Sequence, residues 1–153
     1  MKSTAKARAR ERLDDRLTAL KPESRFQPPP KGWIRAIRDA LGMSGVQLAS
    51  RLGVRPQTVE AMEKSEAAGS IQLDTLRRAA EALDCTLVYA LAPKKTLEQT
   101  VNNRARAIAI KELARIAHTM KLEGQETSDH DLDARVDAYI SDVLRERDLW
   151  GKM

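Results

Sequence analysis

The chain has 153 residues, with 27 Lys/Arg against 22 Asp/Glu and a formal net charge of +5, a length that suits one core or a small domain with helical extensions. It carries no apolar run of membrane-spanning length and no secretory leader pattern, which excludes a membrane partner and predicts a cytoplasmic location. Aromatics are only 3% of the residues, so the expected cores are small and alanine-lined, and stability is expected to lean on association.

In chain order, the first segment is basic: Lys2, Lys6, Arg8, Arg10, Arg12 and Arg16 accompany Leu13, Leu17 and Leu20 at helical spacing. An amphipathic helix with a solvated charged face is the first reading, and added phosphate or minor-groove contacts are the second. Pro22 to Gly32, PESRFQPPPKG, resists helix and reads as a linker, so 1–32 is a basic helix plus linker. Trp33, Ile34, Ile37 and Leu41 then form an apolar helical stripe.

The most informative stretch is Gln47 to Glu63, QLASRLGVRPQTVEAME. Val46, Ala49 and Leu52 share one face of a short helix with Leu48 beside them, and Ser44 stands where its hydroxyl caps the free amides. Ala49 is small enough for a second helix to cross closely. Gly53 tolerates positive φ at the helix end, Val54 turns inward, and Pro56 suits the first turn of the next helix. Val59 and Met62 are the buried stripe of that second helix. Arg55, Gln57, Thr58, Glu60, Ala61 and Lys64 remain outward.

Two amphipathic segments hinged on one glycine read as a DNA-binding helix-turn-helix, with an ordinary helical hairpin as the competing reading. Helical stripes before it and after it (Leu73, Leu76, Ala80, Leu83) supply the small bundle that holds the motif's angle, giving a DNA-binding domain over 33–85. The candidate DNA contacts are Ser44, Gln47, Arg55, Gln57, Thr58, Ala61 and Lys64. Gln and Arg make bidentate bonds to base edges, and Thr58 and Ala61 suit a thymine methyl. The stretch resembles the phage-repressor-like helix-turn-helix family, LAxxLGVSxxTVSxxE followed by LxxLxxAxALxC, at Leu48, Ala49, Leu52, Gly53, Val54, Thr58, Val59, Glu63, Leu76, Ala80 and Leu83. It departs from that pattern at Gly45, where the family often has a phosphate-contacting glutamine, and at Arg55, where it has a Ser/Thr cap.

Residues 31–92 hold eight Lys/Arg against seven Asp/Glu, so one copy attracts phosphate only weakly, and a homodimer on a palindromic operator is the expected remedy. Cys85, the single cysteine, cannot form an internal disulfide and reads as a small buried residue. Thr86 to Pro93, TLVYALAP, then breaks the helical period and reads as a lone strand over 86–93. Pairing with the same strand of a second copy satisfies its backbone and spaces two recognition helices. The alternative is that 86–91 prolongs the preceding helix.

The 96–153 segment returns to helical period. Leu97, Val101, Ala105, Ala109, Leu113, Ile116 and Met120 form one stripe. Leu132, Val136, Tyr139, Ile140 and Val143 form another after a possible Ser128 cap. The two stripes can close on each other as a hairpin. No Gly-rich phosphate loop, metal spacing or paired nucleophile is present, and His118 and His130 stand outside any ligand cluster, so neither enzymatic activity, catalytic residue, metal nor cofactor is expected.

Thr119 to Gly124, TMKLEG, matches the [S/T]xxxE[G/N] motif of antitoxins that silence Fic-type AMP-transferases. Thr119 and Glu123 lie one helical turn apart, and Gly124 follows where a helix stops. Together with GWIRAIRDALGM, LRRAAEALDCTLVYALAPKKTLE and IAHTMKLEGQ, the chain resembles the mobile mystery protein A family. The resemblance implies a repressor-like antitoxin with a cognate Fic-domain toxin as partner, inhibitory positions Thr119, Glu123 and Gly124, and autoregulation of its operon. The expected fold is therefore mainly α: a phage-repressor-like helix-turn-helix bundle, one short dimerising strand and a C-terminal helical extension that binds the toxin. Two other readings stand beside it: a plain repressor-type regulator whose C-terminal helices only dimerise, and a scaffold whose helix-turn-helix no longer reads DNA.

Overall fold

The computed structural model describes residues 5–120 and 129–151. Seven helices occur there: α1 (Ala5–Thr18), α2 (Trp33–Ala40), α3 (Gly45–Leu52), α4 (Pro56–Ala67), α5 (Leu73–Ala82), α6 (Leu97–Met120) and α7 (Asp129–Asp142). Lys2, Glu123, Gly124 and Ser128 lie outside the described residues. The chain divides into two units, one of Pro22–Leu91 with α2 to α5, the other of Met1–Lys21 and Ala92–Met153 with α1, α6 and α7.

In the first unit every helix has 8 to 12 residues, too few to hold together alone in water, so burial must stabilise them. Ile34, Leu48, Ala49, Val59, Met62, Ala79 and Leu83 form that core, with Ile37, Leu52, Val54, Leu76 and Cys85 packed at its margin. The helix ends are closed by local chemistry. Ser44 caps α3 reciprocally: the Gln47 N–H donates to its Oγ at 3.1 Å, and the Ser44 N–H donates to Gln47 Oε1 at 2.7 Å. Gly53 adopts left-handed φ 67°, ψ 32°, which lets the Gly53 and Val54 amides reach back to the Ser50 and Ala49 carbonyls. The same closure ends α5, where Asp84 takes φ 58°.

Four residues expected inside this core are exposed: Trp33, Leu41, Val46 and Leu73. At 100° per residue Val46 sits about 160° from Leu48 but about 60° from Ala49, at the edge of the buried face and in the first turn of α3. Trp33 and Leu73 are first residues of their helices and Leu41 is a C-cap, places where the packing of one turn is not enforced by the next. Ala79, absent from the expected stripe, is fully buried instead.

Polar contacts fix what apolar packing leaves free. Arg38 on α2 donates from Nε to Glu63 Oε1 on α4 at 2.6 Å and from Nη2 to Glu63 Oε2 at 3.3 Å, while its Nη1 donates to the Met43 carbonyl at 2.9 Å. One turn further along α4, Glu66 Oε1 accepts from the Ile34 N–H at 2.9 Å and so caps the start of α2. Gly32, at φ 84°, makes room for this: a Cβ there would run into the Glu66 carboxylate. On the other flank, Arg51 of α3 donates to the Ala82 carbonyl at 2.7 Å and closes the end of α5.

The second unit is a helical hairpin with α1 laid on it. Along α6, Val101, Ala105, Ala109 and Leu113 are buried, and they meet Val136, Tyr139 and Ile140 of α7 together with Leu144 and Leu149. Ile116, Leu132 and Val143, expected on the closed stripes, are exposed, because they lie toward or beyond the ends of the packed turns. The basic N-terminal segment is helical as expected, and part of its charge is satisfied within this unit. Arg10 pairs with Glu98 at 2.9 Å and with Glu146 at 3.9 Å, and Asp14 caps α6 by accepting from the Leu97 and Glu98 amides at 2.7 and 3.1 Å.

The expected strand over 86–93 is not formed. Among the described residues there is no strand, and 86–91 is irregular, since a ladder needs a second strand that this single chain does not offer. Nor does 86–91 prolong α5, which ends at Ala82 with Leu83 as its cap. No helix of the described residues is long and apolar enough to cross a membrane.

Two stability predictions follow from these contacts. Glu63→Ala removes both bonds from the Arg38 guanidinium to α4, leaving it the Met43 carbonyl and the exposed Asp39 carboxylate at 3.1 Å, and should cost about 1–3 kcal/mol, whereas Arg38→Met with Glu63→Leu should recover most of that loss. Urea unfolding followed by Trp33 fluorescence, in a Trp150→Phe background, measures both. Asp14→Ala removes a cap from α6 and should cost about 1 kcal/mol, read as faster hydrogen exchange at the Leu97 and Glu98 amides.

Candidate nucleic-acid interface

The outward face of α4 is the candidate DNA-contacting surface of the first unit. Val59, Met62 and Glu63 point inward and are buried, and Arg55, Gln57, Thr58, Glu60, Ala61 and Lys64 are all exposed. The split has a simple origin: positions 59, 62, 63 and 66 recur at helical spacing, and each is held by the core or by α2. Helix α4 begins with Arg55 as a non-helical N-cap whose side chain makes no cap hydrogen bond, followed by Pro56 in the first turn. The departure from a Ser/Thr cap noted in the sequence is thus realised, and the Arg55 guanidinium is exposed.

Ser44 and Gln47 lie at the start of α3 and are both exposed. Each already serves the other in the reciprocal cap, which uses the serine hydroxyl and the glutamine carbonyl oxygen. The glutamine amide NH2 is left to act as a donor, and the serine hydroxyl hydrogen likewise. Gly45 follows the cap as the first helical residue and contributes no side chain.

The face is not strongly positive. Lys64 pairs with Glu60 at 2.8 Å one turn away, and this hydrogen bond, reinforced by charge attraction, holds the Glu60 carboxyl below the usual carboxylate range. A carboxylate therefore stands on the reading face at neutral pH. Arg38 and Arg51 of this unit are committed to internal acceptors, and Arg35 pairs with Asp39 at 3.7 Å. Sequence reasoning missed this internal use of Arg38, Glu63 and Glu66. The available signal was a glutamate at position 63 following Val59 and Met62 at core spacing, since a charge there needs a buried partner.

Thr119, the first position of the TMKLEG motif, sits in the last turn of α6, exposed, with its hydroxyl donating to the Arg115 carbonyl at 3.1 Å. Glu123 and Gly124 lie outside the described residues.

Comparison with curated proteins and with solved structures gives no match. Among protein families, the helix-turn-helix matches residues 34–89, which spans α2 to α5 and leaves α1, α6 and α7 outside it. Residues 34–89 are accordingly a helix-turn-helix domain of the kind carried by DNA-binding transcription regulators.

Proposed function

We propose that the protein is a repressor that binds a palindromic operator as a homodimer, and that it is the antitoxin of a Fic-type AMP-transferase encoded beside it. The observation that carries the DNA half is the exposed α4 face inside a helix-turn-helix domain, braced from behind by Arg38–Glu63. In this reading α4 enters the major groove. Arg55 and Gln57 make bidentate bonds to base edges, Thr58 and Ala61 pack on thymine methyls, and Glu60 accepts from a cytosine amino group. Ser44 and Gln47 lie along the backbone and donate to phosphate, and Lys64 adds a phosphate contact when it leaves Glu60.

The toxin half rests on the TMKLEG motif and on the likeness to antitoxins that carry it. Glu123 presents a carboxylate to the arginine that otherwise holds the ATP γ-phosphate, leaving nucleotide bound unproductively. Thr119 precedes Glu123 by the four residues of a helical turn, and Gly124 is a residue type suited to stopping a helix. No step of this mechanism asks the chain for catalysis, a metal or a cofactor.

On the chain's own promoter, Arg55→Ala and Gln57→Ala should each remove about 1–3 kcal/mol of sequence discrimination, measured by fluorescence anisotropy against scrambled DNA. Equal losses on both DNAs would restrict these residues to phosphate contact. For the second half, the complex with the neighbouring Fic-domain protein is purified and AMP transfer is followed from labelled ATP. Glu123→Ala should release transfer while operator affinity stays unchanged, and a complex that remains equally inactive excludes Glu123 as the inhibitory group.

A further inference from the structure

We infer that the outward face of α1, carried by Arg8, Arg12 and Arg16, is a second DNA contact that holds a phosphate backbone without reading sequence. The inference rests on the DNA-binding reading above and adds a site outside the helix-turn-helix unit. The three arginines recur every four residues, so at 100° per residue Arg8 and Arg16 fall within about 40° of Arg12 on one side of the helix. All three are exposed, and none has an acidic partner among the described residues. The bond their guanidinium groups do make is internal, from Arg12 Nε to the Arg8 carbonyl at 3.3 Å.

The opposite side of α1 does different work. Arg10, about 160° from Arg12, has a side chain only 17% exposed and is engaged by Glu98 and Glu146. Asp14 caps α6 from the same inner side. No residue of α1 is buried, so the helix is held to its unit chiefly by these polar contacts. They fix which way it faces. Three unpaired arginines are thereby presented together, in a chain where Arg10, Arg38 and Arg51 are all committed internally.

The ligand is argued from charge, spacing and the rest of the face. A guanidinium is a planar fork that suits two oxygens of one phosphate. Arg8 and Arg16 are about 12 Å apart along the helix axis, a distance over which one DNA strand presents about three to four phosphates. Ala5 and Ala9 complete the exposed face on one edge, small enough for a sugar-phosphate strand to come close, while Glu11 and Asp15 on the other edge confine the strand to the alanine side. A protein partner or a bilayer is served less well. The face has no large apolar side chain to anchor either, since Leu13, 46% exposed, stands about 100° from Arg12. The need is also specific: residues 31–92 hold eight Lys/Arg against seven Asp/Glu, so the helix-turn-helix unit attracts phosphate weakly. A second contact in the same chain raises affinity by making its own binding intramolecular.

The test is the salt dependence of DNA binding by the full chain, measured by fluorescence anisotropy on its promoter and on scrambled DNA between about 50 and 200 mM salt. Arg8→Gln, Arg12→Gln and Arg16→Gln together should lower the slope of log affinity against log salt by about 2–3 and weaken both DNAs alike, roughly tenfold or more. Gln matches Arg in helix propensity, so the far-ultraviolet circular dichroism spectrum should not change. The corresponding triple lysine variant keeps the charge and should keep the slope. A slope that the glutamines leave unchanged overturns the inference, as does a variant that binds DNA normally but no longer silences the neighbouring Fic-domain protein, which would assign the face to that partner. If the promoter is preferred over scrambled DNA and the slope does not move, only this site fails. If the two DNAs bind equally but the glutamines lower the slope, only the operator reading fails, and a wild-type chain that binds neither DNA overturns both.

Discussion

The buried pair of Arg38 and Glu63 is the constraint on which the reading surface depends. Apolar packing stabilises the four short helices but is largely non-directional, and a core of Leu, Ile, Val, Met and Ala tolerates small rotations. An ion pair with side-chain exposures of 11% and 9% does not. Taking both charges from water costs several kcal/mol each, and only well-aligned bonds offset that. The charge and hydrogen bond of Glu63 outweigh burial at Arg38 and raise its already high pKa, so the guanidinium stays charged and the geometry stays required. Because the same guanidinium also donates to the Met43 carbonyl, just before the Ser44 cap, α2, the entry to α3 and the direction of α4 are set together.

This arrangement divides the polar residues of α4 between two tasks. Glu63 and Glu66 serve the inside, holding the helix to α2 by a side chain and by a helix start respectively. Gln57, Thr58 and Ala61 are left to the outside, flanked by Glu60 and Lys64, which largely neutralise each other. A face of that kind has donors, acceptors and methyl-sized contacts but little bulk attraction. It favours reading over grasping. In the proposed homodimer, the second half would meet DNA at raised effective concentration once the first is bound, which supplies affinity without further positive charge.

What could be read from the sequence was what neighbouring residues decide. The Ser44 cap, the left-handed Gly53, Pro56 in the first turn of α4 and the inward Val59 and Met62 each follow from a few consecutive side chains, and the structure has them all. Periodicity failed at helix ends. Trp33, Leu41 and Leu73 fit the apolar stripe by spacing but sit where a stripe has no further turn to enforce it, and so does Val46 in the first turn of a helix only eight residues long. The partners of the long-range polar contacts were not legible. Core spacing marks Glu63 as needing a partner but does not say which, because Arg38 lies 25 residues away, and Leu97 lies 83 from the Asp14 that caps it, a carboxylate that nothing local distinguishes from a solvated one. The segment 86–91 is intermediate: its composition marks the end of helix, but strand is a property of two segments, and one chain holds only one of them.

The same distinction between formal and available charge governs the chain as a whole. A net charge of +5 and a basic N-terminal helix invite the idea of a protein that clings to nucleic acid by attraction alone. Yet Arg10 is committed to Glu98 and Glu146, Lys6 also faces Glu146 at 3.7 Å, and Asp14 on the same helix serves α6. In the helix-turn-helix unit Arg38 and Arg51 hold the fold, while Arg35 and Lys64 have acidic partners within their own helices. Exposed ion pairs are weak, so phosphate can compete for Arg35 and Lys64, but it cannot recruit Arg38 without dismantling the bundle. Arg55, at the start of α4, is exposed and has no acidic partner among the described residues of its unit. In the proposed DNA complex its position at the N-cap would let it orient α4 before any base is read.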